Sequence, residues 1–502
     1  MPVQDVATPT TCRCLIGGRW REARAARFAD VYNPSTGQAI AQTPLCGAED
    51  VDDAVRSAVG AWPAWRDTPV VERARVMFRF RDLLDRHTEE IARLVSREHG
   101  KTLAESRASM ARGVEMVEFA CSVPALIAGE ITPNIAPNVD CDTVRHPLGV
   151  VAGITPFNFP AMVPLWMYPV AITCGNCFVL KPSPRVPLTA IRIGELLLEA
   201  GLPAGVFSIV HGDKACVDAL LHHPQTRAVS FVGSTPVASY IYQTATANGK
   251  RAQCAGGAKN HIIVMPDADL DATVAGLCGA AFGCAGERCM AASLAIPVGD
   301  VADELVARLQ DSAAGIRVGR TDDGQTDVDM GPLITRQHLE RVRGYLDSAA
   351  QEGATVAVDG RQTRVVDAPG GYFLGPTVVD HVRPGARLQT EEVFGPVLSV
   401  TRVRSLDEAI ALGEKCEYGN GAAIFTNSGR AAREFKQRFN AGMIGVNVGV
   451  PAPMAWHPFT GWNRSFFGDL HIQGKEGLLF YTQQRMTMTR WFAENDPMWK
   501  PH

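Results

Sequence analysis

Cys289 lies in the stretch GAAFGCAGERCMAAS, residues 279–293, where it follows Glu287 and Arg288 after a run of small residues. A cysteine thiolate is a strong nucleophile, and a neighbouring guanidinium favours the thiolate over the thiol. The chain has thirteen cysteines, so an ordinary structural thiol is the alternative interpretation of this one. The residue types therefore make Cys289 a candidate nucleophile and leave the choice to the rest of the chain.

Polar residues also follow three short apolar runs that are typical of buried strands. Asn158 stands in GITPFNFP, Lys181 in FVLKPSPRVP and Ser234 in SFVGSTPVASYI. An amide locked between bulky neighbours suits a developing oxyanion, and an ammonium at a strand end can donate to ribose hydroxyls. After Ser234, Pro236 favours the first turn of a helix whose dipole would face an anion. A turn asparagine, a solvated lysine and an ordinary strand-to-helix turn are the alternatives, and the G-x-G-x-x-G fingerprint is absent.

Strand-like and helical patterns alternate along the chain, and this alternation predicts the fold class. Between residues 145 and 260 the apolar runs GVVAGITP, CFVLKPS, FSIVHG and AVSFVGS are separated by helical patterns, and the alternation resumes after residue 260. It predicts parallel βαβ units in two α/β domains with a boundary near residue 260. Ligands of open parallel sheets bind beyond the carboxyl ends of the strands, where the candidate residues lie. Near the C-terminus, KEGLLFYTQQRMTMTRW contains a further strand-like run.

Composition argues against several classes of function. The 502 residues carry a formal net charge of −4, which gives no overall positive field for nucleic acid or an anionic membrane. Residues 157–180 are uncharged, but three prolines favour a segment buried in a globular core over a membrane span. The scattered cysteines and the lack of a secretory signal pattern predict a cytoplasmic protein. Cys174 and Cys177 have no second Cys or His pair at ligand spacing nearby, so no metal site is expected.

A family resemblance unites these motifs. TPFNFP, LKPS, FVGST, GAKNH, PDAD, GERCM and EEVFGPV, in this order over nearly the whole chain, resemble the NAD(P)-dependent aldehyde dehydrogenases, and among them the CoA-acylating methylmalonate-semialdehyde (malonate-semialdehyde) dehydrogenases. The resemblance implies an α/β fold with two Rossmann-type parallel-sheet domains and a small β extension for oligomerisation. It implies a dinucleotide-binding domain over residues 1–130 and 150–260, a catalytic domain over 261–465 and the extension over 131–149 and 466–502. A homodimer or homotetramer is expected.

The resemblance also implies roles for individual residues. Cys289 would be the nucleophile, and Asn158 with the backbone N–H of Cys289 would hold the oxyanion. Contacts with the dinucleotide are implied for Thr155, Phe157, Lys181, Arg185, Gly233, Ser234, Glu392 and Phe394. Pro184 replaces the glutamate that binds the adenosine ribose in the family, so NAD is the expected cofactor and NADP is less firmly excluded.

Ala255 precedes Cys289 by 34 residues and occupies the position at which hydrolytic relatives carry the glutamate that activates water. Without that base, the thiol of CoA is a better nucleophile toward a thioester than water, so acyl transfer to CoA is expected. Three alternatives stay open: Glu287 as a substitute base, a hydrolytic dehydrogenase that releases a free dicarboxylic acid, and a catalytically silent protein that keeps the fold.

Two arginines match the carboxylate-binding positions of the family. Arg288 adjoins the nucleophile and Arg112 lies on a predicted helix, and planar guanidinium groups suit a semialdehyde that bears a carboxylate. Taken alone, each could equally be a solvated charge. The expected reaction oxidises malonate or methylmalonate semialdehyde with NAD, releases carbon dioxide and yields acetyl-CoA or propionyl-CoA.

Overall fold

The computed structural model describes residues 10–324 and 327–492. Two open, mostly parallel sheets form its two cores, which confirms the predicted α/β class with two parallel-sheet units. The first sheet has eight strands in the spatial order Phe466–Phe467, Arg251–Ala255, Thr226–Val232, Val150–Ile154, Cys177–Lys181, Phe207–Ile209, Cys14–Ile16 and Arg19–Arg21. The five strands between residues 150 and 255 run parallel, and Phe466–Phe467 and Cys14–Ile16 pair antiparallel with the outer two of them. Arg19–Arg21 pairs antiparallel with Cys14–Ile16 at the edge.

The second sheet has seven strands. Their spatial order is Thr355–Val358, Thr377–Asp380, Val397–Val400, Ala292–Pro297, Asn260–Val264, Gly421–Phe425 and Met443–Val446. Thr355–Val358 pairs antiparallel at one edge, and the other pairings are parallel. Two smaller groups of strands lie outside these sheets: Thr10–Thr11 with Gln38–Pro44 and Phe28–Asn33, and Tyr418–Gly419 with Trp462–Asn463.

Helices pack on both sheets, which explains why their strands are apolar along their whole length. Val150–Ile154, Cys177–Lys181 and Asn260–Val264 are buried at every residue, as expected for parallel strands covered on both faces. The α-helices are Ala48–Asp67, Val70–Arg86, Thr88–His99, Leu103–Cys121, Val123–Leu126, Met162–Thr173, Pro187–Glu199, Lys214–His222, Thr235–Ala247, Leu270–Phe282, Val301–Ala314, Arg336–Gln351, Arg387–Thr390, Leu406–Glu414, Gly429–Arg438 and Gly474–Phe480. The 3₁₀ turns are Gly283–Gly286 and Gly360–Gln362.

The uncharged run over residues 157–180 contributes a buried helix and a buried strand. Helix Met162–Thr173 is buried at every residue, and Pro164 lies in its first turn, where a missing N–H costs no intrahelical hydrogen bond. The prediction of a core segment is therefore confirmed. In the described part of the chain, no helix combines the length and apolar character that a bilayer span requires.

A third sheet projects from the two cores. Thr482–Arg490 pairs antiparallel with Val139–Pro147 from end to end, and Val139–Pro147 also pairs with Ile131–Ala136. These strands lie within the ranges 131–149 and 466–502 that the sequence assigned to a β extension.

The start of the C-terminal part of this extension differs from the predicted residue 466. Phe466–Phe467 instead completes the edge of the first sheet beside Arg251–Ala255. Leu478 and Phe480, on the following helix, are buried in the core of that sheet. The extension therefore begins near Thr482, because the apolar side chains before it belong to the first core.

Candidate active site

A cavity of about 1350 Å³ opens at the carboxyl ends of the strands of the first sheet and reaches into the second unit. Parallel strands end on the same side of a sheet, so loops that are distant in the sequence meet there. Of the twelve residues that the sequence assigned to a site, ten line this cavity: Thr155, Phe157, Asn158, Lys181, Arg185, Gly233, Ser234, Cys289, Glu392 and Phe394. Arg112 and Arg288 do not line it.

The helix Thr235–Ala247 begins at the cavity with Ser234 as its N-cap. The Ser234 side chain makes no capping hydrogen bond, and Pro236 occupies the first turn. The first N–H groups of the helix therefore remain available to an anion, which the helix dipole also favours. Thr235 does not cap the helix either, because its hydroxyl oxygen accepts the N–H of Gly257 at 2.8 Å.

Two consecutive glycines form part of the cavity wall after the strand Arg251–Ala255. A Cβ on Gly257 would overlap Glu392 Oε2, and a Cβ on Gly256 would lie 2.8 Å from the Arg464 carbonyl oxygen. The absence of side chains leaves backbone open to a flat ligand. Together with the free helix N-terminus, this wall fits a dinucleotide.

Two ionisable groups line the cavity, the half-buried Glu392 and the buried Lys181. Glu392 accepts the N–H of Ala258 at 3.0 Å, and burial raises the pKa of its carboxyl to about 7. Lys181 donates to the Gly212 carbonyl oxygen at 3.3 Å, and burial lowers the pKa of its ammonium. Each retains hydrogen-bonding capacity beyond that single contact, so each can bind a hydroxyl group.

Two aromatic rings line the same cavity as Cys289. Phe157 and Phe394 pack edge to face with ring centroids 5.8 Å apart, and the Arg185 guanidinium lies 5.4 Å from the Phe157 ring centre. Phe394 has a φ of 59°, in the left-handed region that a phenylalanine rarely adopts. A His338 ring nitrogen lies 2.6 Å from the Phe394 carbonyl oxygen, and this hydrogen bond helps to fix the unusual backbone.

Cys289 is half-buried between the turn Gly283–Gly286 and the strand Ala292–Pro297. Its carbonyl oxygen accepts two side-chain amides, from Asn260 at 2.9 Å and from Asn420 at 3.0 Å. Asn260 begins a strand of the second sheet and Asn420 directly precedes another, so the backbone of the nucleophile loop is anchored to that unit. The Cys289 side chain lies at the cavity.

Burial raises the pKa of the Cys289 thiol to about 12, and the Glu392 carboxylate adds to the rise. The backbone N–H groups of Cys289 and Met290 lower this pKa, and Arg288 lowers it less than they do. Arg288 thus acts in the direction that the sequence suggested, but burial outweighs it, and the thiol is the favoured form in the protein without ligands. A positively charged ligand in the cavity would shift the balance toward the thiolate.

Asn158 is 4% exposed, and both its side-chain amide and its backbone carbonyl are hydrogen-bonded. Its Nδ2 donates to the Glu287 carbonyl oxygen at 3.0 Å, and its own carbonyl oxygen accepts Lys101 Nζ at 2.7 Å. The amide has a second N–H that this contact does not use. Because Asn158 and Cys289 line the same cavity, that N–H can serve as a donor beside the nucleophile.

Comparison with known proteins agrees with this geometry. Residues 20–487 match the profile described as the aldehyde dehydrogenase family. The chain is 51% identical to malonate-semialdehyde dehydrogenase 2 of Geobacillus thermodenitrificans over 481 residues, which cover 96% of this chain and 99% of the relative. It is 52% identical to malonate-semialdehyde dehydrogenase of Pseudomonas aeruginosa over 482 residues, which cover 96% of each. The chain belongs to the aldehyde dehydrogenase family.

Solved structures of the family superpose closely on the fold. Methylmalonate-semialdehyde dehydrogenase from Oceanimonas doudoroffii matches with a TM-score of 0.95 and 51% identity, covering 96% of this chain and 99% of that one. A candidate methylmalonate-semialdehyde dehydrogenase from Sinorhizobium meliloti 1021, complexed with NAD, matches with a TM-score of 0.95 and 46% identity, covering 97% and 99%.

The carboxylate clamp expected from the family resemblance is not formed in this structure. The Arg288 guanidinium lies 3.3 Å from Glu105 Oε1 and donates to the Gly279 carbonyl oxygen at 3.3 Å, outside the cavity. Arg112 lies half-exposed on Leu103–Cys121, where it pairs with Glu115 at 3.1 Å. Adjacency to Cys289 misled the sequence interpretation, because the preceding turn directs the Arg288 side chain toward the helix that carries Glu105.

No carboxylate takes the family's water-activating position. Ala255 ends its strand as a 4% exposed residue. Glu287 is fully buried, accepts the Ile334 N–H at 3.2 Å and lies 3.6 Å from a His338 ring nitrogen. Burial raises the pKa of Glu287 well above its ordinary value, and this carboxyl does not line the cavity. Glu287 is therefore poorly placed to replace the missing base.

Sequence reasoning missed one whole side of the cavity. Four residues of the helix Arg336–Gln351 line it: Gln337, His338, Arg341 and Tyr345. Their spacing of one, four and eight residues marks a helix face, but a polar face of this kind is usually solvated. Gly256 and Gly257 were missed as well, although two glycines directly after a strand signal close backbone approach.

Alkylation of Cys289 tests its raised pKa. Without ligands, its reaction with iodoacetamide should rise about tenfold per pH unit from about pH 7 to about pH 10, because the thiolate fraction is small throughout. Peptide mass spectrometry resolves Cys289 from the other cysteines. A free cysteine peptide, which levels off above its pKa of about 8.5, is the control. A plateau at the same pH for Cys289 would contradict the burial argument.

Proposed function

We propose that this protein is a CoA-acylating malonate-semialdehyde or methylmalonate-semialdehyde dehydrogenase that uses NAD. The observation that carries the proposal is the pairing of a cavity-lining Cys289 and Asn158 with alanine at position 255. A nucleophile and an oxyanion donor suffice to form a thioester, whereas its hydrolysis needs a base, which alanine at position 255 does not supply. The names of the relatives at about half identity supply the substrate class.

The first half of the reaction is thioester formation on Cys289. The Cys289 thiolate attacks the aldehyde carbon, and the amide of Asn158 with the backbone N–H of Cys289 receives the oxyanion. When bound, NAD supplies the hydride acceptor and a positively charged ring near the thiol. Glu392 and Lys181 would hold its ribose hydroxyls, and the N-terminus of the helix after Ser234 would hold its phosphates. NAD is proposed over NADP, although Pro184 removes the carboxylate that would repel a 2′-phosphate.

The second half removes the acyl group. The thioester carries a carboxylate on the adjacent carbon, so the C–C bond can break with release of carbon dioxide and leave an enolate on the thioester. The oxyanion donors stabilise that enolate until its carbon is protonated. The CoA thiolate then attacks the thioester carbonyl, Cys289 leaves as the thiolate, and acetyl-CoA or propionyl-CoA is released. Arg112 is the proposed contact for the substrate carboxylate, and Arg288 would have to leave Glu105 to join it.

Product analysis tests the proposed function. Malonate and methylmalonate semialdehydes, each with NAD and CoA, should yield acetyl-CoA and propionyl-CoA respectively, together with one NADH per product. Mass spectrometry of the products, with and without CoA, checks this. Free malonate or methylmalonate formed rapidly without CoA would instead support the hydrolytic alternative, and inertness toward both substrates would reject the substrate class.

We also propose a homodimer or homotetramer that assembles through the third sheet. The strands Ile131–Ala136 and Thr482–Arg490 expose large apolar side chains, among them Ile131, Ile135, Met486 and Met488. Apolar groups on the face of a projecting three-stranded sheet are typical of a surface that a second copy covers. All thirteen cysteines lie within the described residues and none forms a disulfide, which supports a cytoplasmic location.

A further inference from the structure

Lys101 is a fully buried lysine directly beneath the peptide that carries Asn158. It is 1% exposed, and its Nζ donates to the Asn158 carbonyl oxygen at 2.7 Å. The same Nζ lies 3.8 Å from the ring centre of Phe159, the next residue along the chain. One ammonium group therefore grips two consecutive residues, one through a hydrogen bond and the other through a cation–π contact.

Burial of an ammonium group costs desolvation free energy, and the surroundings of Lys101 offset little of that cost. Burial lowers its pKa, and the carboxylates of Glu105 and Glu287 act on it only at longer range. Within the described residues neither carboxylate forms an ion pair with it. A methionine would fill similar space without desolvating a charge, so packing alone does not account for a lysine here.

Lys101 binds Asn158, the residue whose orientation matters most for the proposed reaction. Asn158 Nδ2 is directed toward the nucleophile loop, where it donates to the Glu287 carbonyl oxygen at 3.0 Å. An oxyanion donor works only when it is held in place before charge develops. Lys101 donates to the backbone carbonyl of Asn158, and the side-chain amide of Asn158 donates to the backbone carbonyl of Glu287. The residue is therefore fixed at its backbone and at its side chain.

We propose that Lys101 is the positioning residue for the oxyanion donor Asn158, through its hydrogen bond to the Asn158 carbonyl and its contact with Phe159. This inference rests on the proposed function, since it takes Asn158 to be the donor. Lys101 does not line the cavity and would touch neither substrate nor cofactor. Its effect would therefore pass entirely through Asn158.

A double-mutant cycle tests this coupling. The rate of NADH formation in a single turnover is measured for wild type, Lys101→Met, Asn158→Ala and the double variant. Asn158→Ala should slow the step about 10²- to 10³-fold, as loss of one oxyanion donor does elsewhere, and Lys101→Met about 10²-fold through misplacement of that donor. The double variant should be no more than about threefold slower than Asn158→Ala alone, because Lys101 has nothing left to position. Losses that multiply in the double variant, or a Lys101→Met variant as fast as wild type, would overturn the inference.

Lys250→Met is the matched control. Lys250 is likewise buried, at 6% exposure, and donates to the carbonyl oxygens of His223 at 2.7 Å and Thr226 at 3.0 Å. It precedes the strand Arg251–Ala255, at the end of the sheet opposite the cavity. The Lys250→Met variant should have a lower thermal unfolding midpoint but the wild-type rate of hydride transfer. Lys101→Met should instead slow hydride transfer and leave the NAD dissociation constant unchanged. Equal rate losses in the two variants would mean that Lys101 acts through stability alone.

Two further results separate the inference from the proposed function. Asn158→Ala at the wild-type rate would remove the oxyanion role itself and the inference with it. A slow Asn158→Ala beside a fast Lys101→Met would overturn only the positioning role. Should Lys101→Met fail to fold, Lys101→Leu takes its place in the same cycle, since it likewise removes both the N–H donor and the charge.

Discussion

Replacement of Cys289 by alanine is expected to abolish NADH formation from malonate semialdehyde, with a loss of at least about 10⁴-fold. Loss of Sγ removes the atom to which the acyl group would be attached, and among the described residues no other cysteine lines the large cavity. The loop should keep its place, because Asn260 and Asn420 bind the carbonyl oxygen of residue 289 and not its side chain. NADH absorbance in steady state and in a single turnover measures the effect.

Cys278→Ala is the control for this experiment. Cys278 lies on the helix Leu270–Phe282, which leads into the same segment, and is buried in the core of the second sheet. Its loss should leave the rate unchanged, and Cys289→Ala should bind NAD as tightly as wild type, since Cys289 is a minor part of the cavity wall. Substantial NADH formation by Cys289→Ala would assign the chemistry to another group.

Most of the cavity could be predicted from the sequence, and the reason is topological. Thr155 and Ser234 follow short apolar strands and Lys181 ends one, and parallel strands of one sheet present their carboxyl ends on the same side. Recognition of the strands was therefore enough to bring their loops together. The residues around Cys289 made it one candidate among several interpretations, and the family motifs selected it and added Glu392. Both lie in loops that precede strands of the second sheet, so the position of strand ends did not indicate them.

Side-chain direction could not be predicted in the same way, as Arg288 demonstrates. Cys284 and Ala285 both have a φ of 51°, so the turn before Arg288 is left-handed. At Gly286 a Cβ would overlap the Gly395 carbonyl oxygen, which fixes the path of the turn. This geometry places the guanidinium against Glu105, and nothing in the local sequence GCAGERC indicates a left-handed turn.

Lys101 illustrates a second limit, the contact between distant segments. It lies between the helices Thr88–His99 and Leu103–Cys121, in a stretch that predicts only a helix boundary. Its partner Asn158 follows a strand that begins at residue 150. Long-range hydrogen bonds of this kind depend on how the helices pack on the sheet, and that packing cannot be predicted from local patterns in a single sequence.

Introduction of a glutamate at position 255 is expected to convert CoA-dependent turnover into hydrolysis. Wild type without CoA should release about one NADH per site and then stop, because water without a base attacks the Cys289 thioester slowly. Ala255→Glu should continue without CoA, since a general base accelerates attack by water about 10²- to 10⁴-fold. Ala255 ends its strand directly before Gly256 and Gly257, which line the cavity, so a longer side chain at position 255 would start beside the cavity wall. Steady-state NADH formation without CoA, with mass spectrometry of the released acid, measures the conversion.

Ala255→Gln separates the base from the bulk of the new side chain. Glutamine has nearly the same size as glutamate but cannot take a proton from water, so this variant should stop after one turnover as wild type does. Both variants should still form the thioester, because position 255 takes no part in that step. Continuous turnover by wild type without CoA would place the base elsewhere, and equal rates for Ala255→Glu and Ala255→Gln would mean that the missing carboxylate is not what directs the acyl group to CoA.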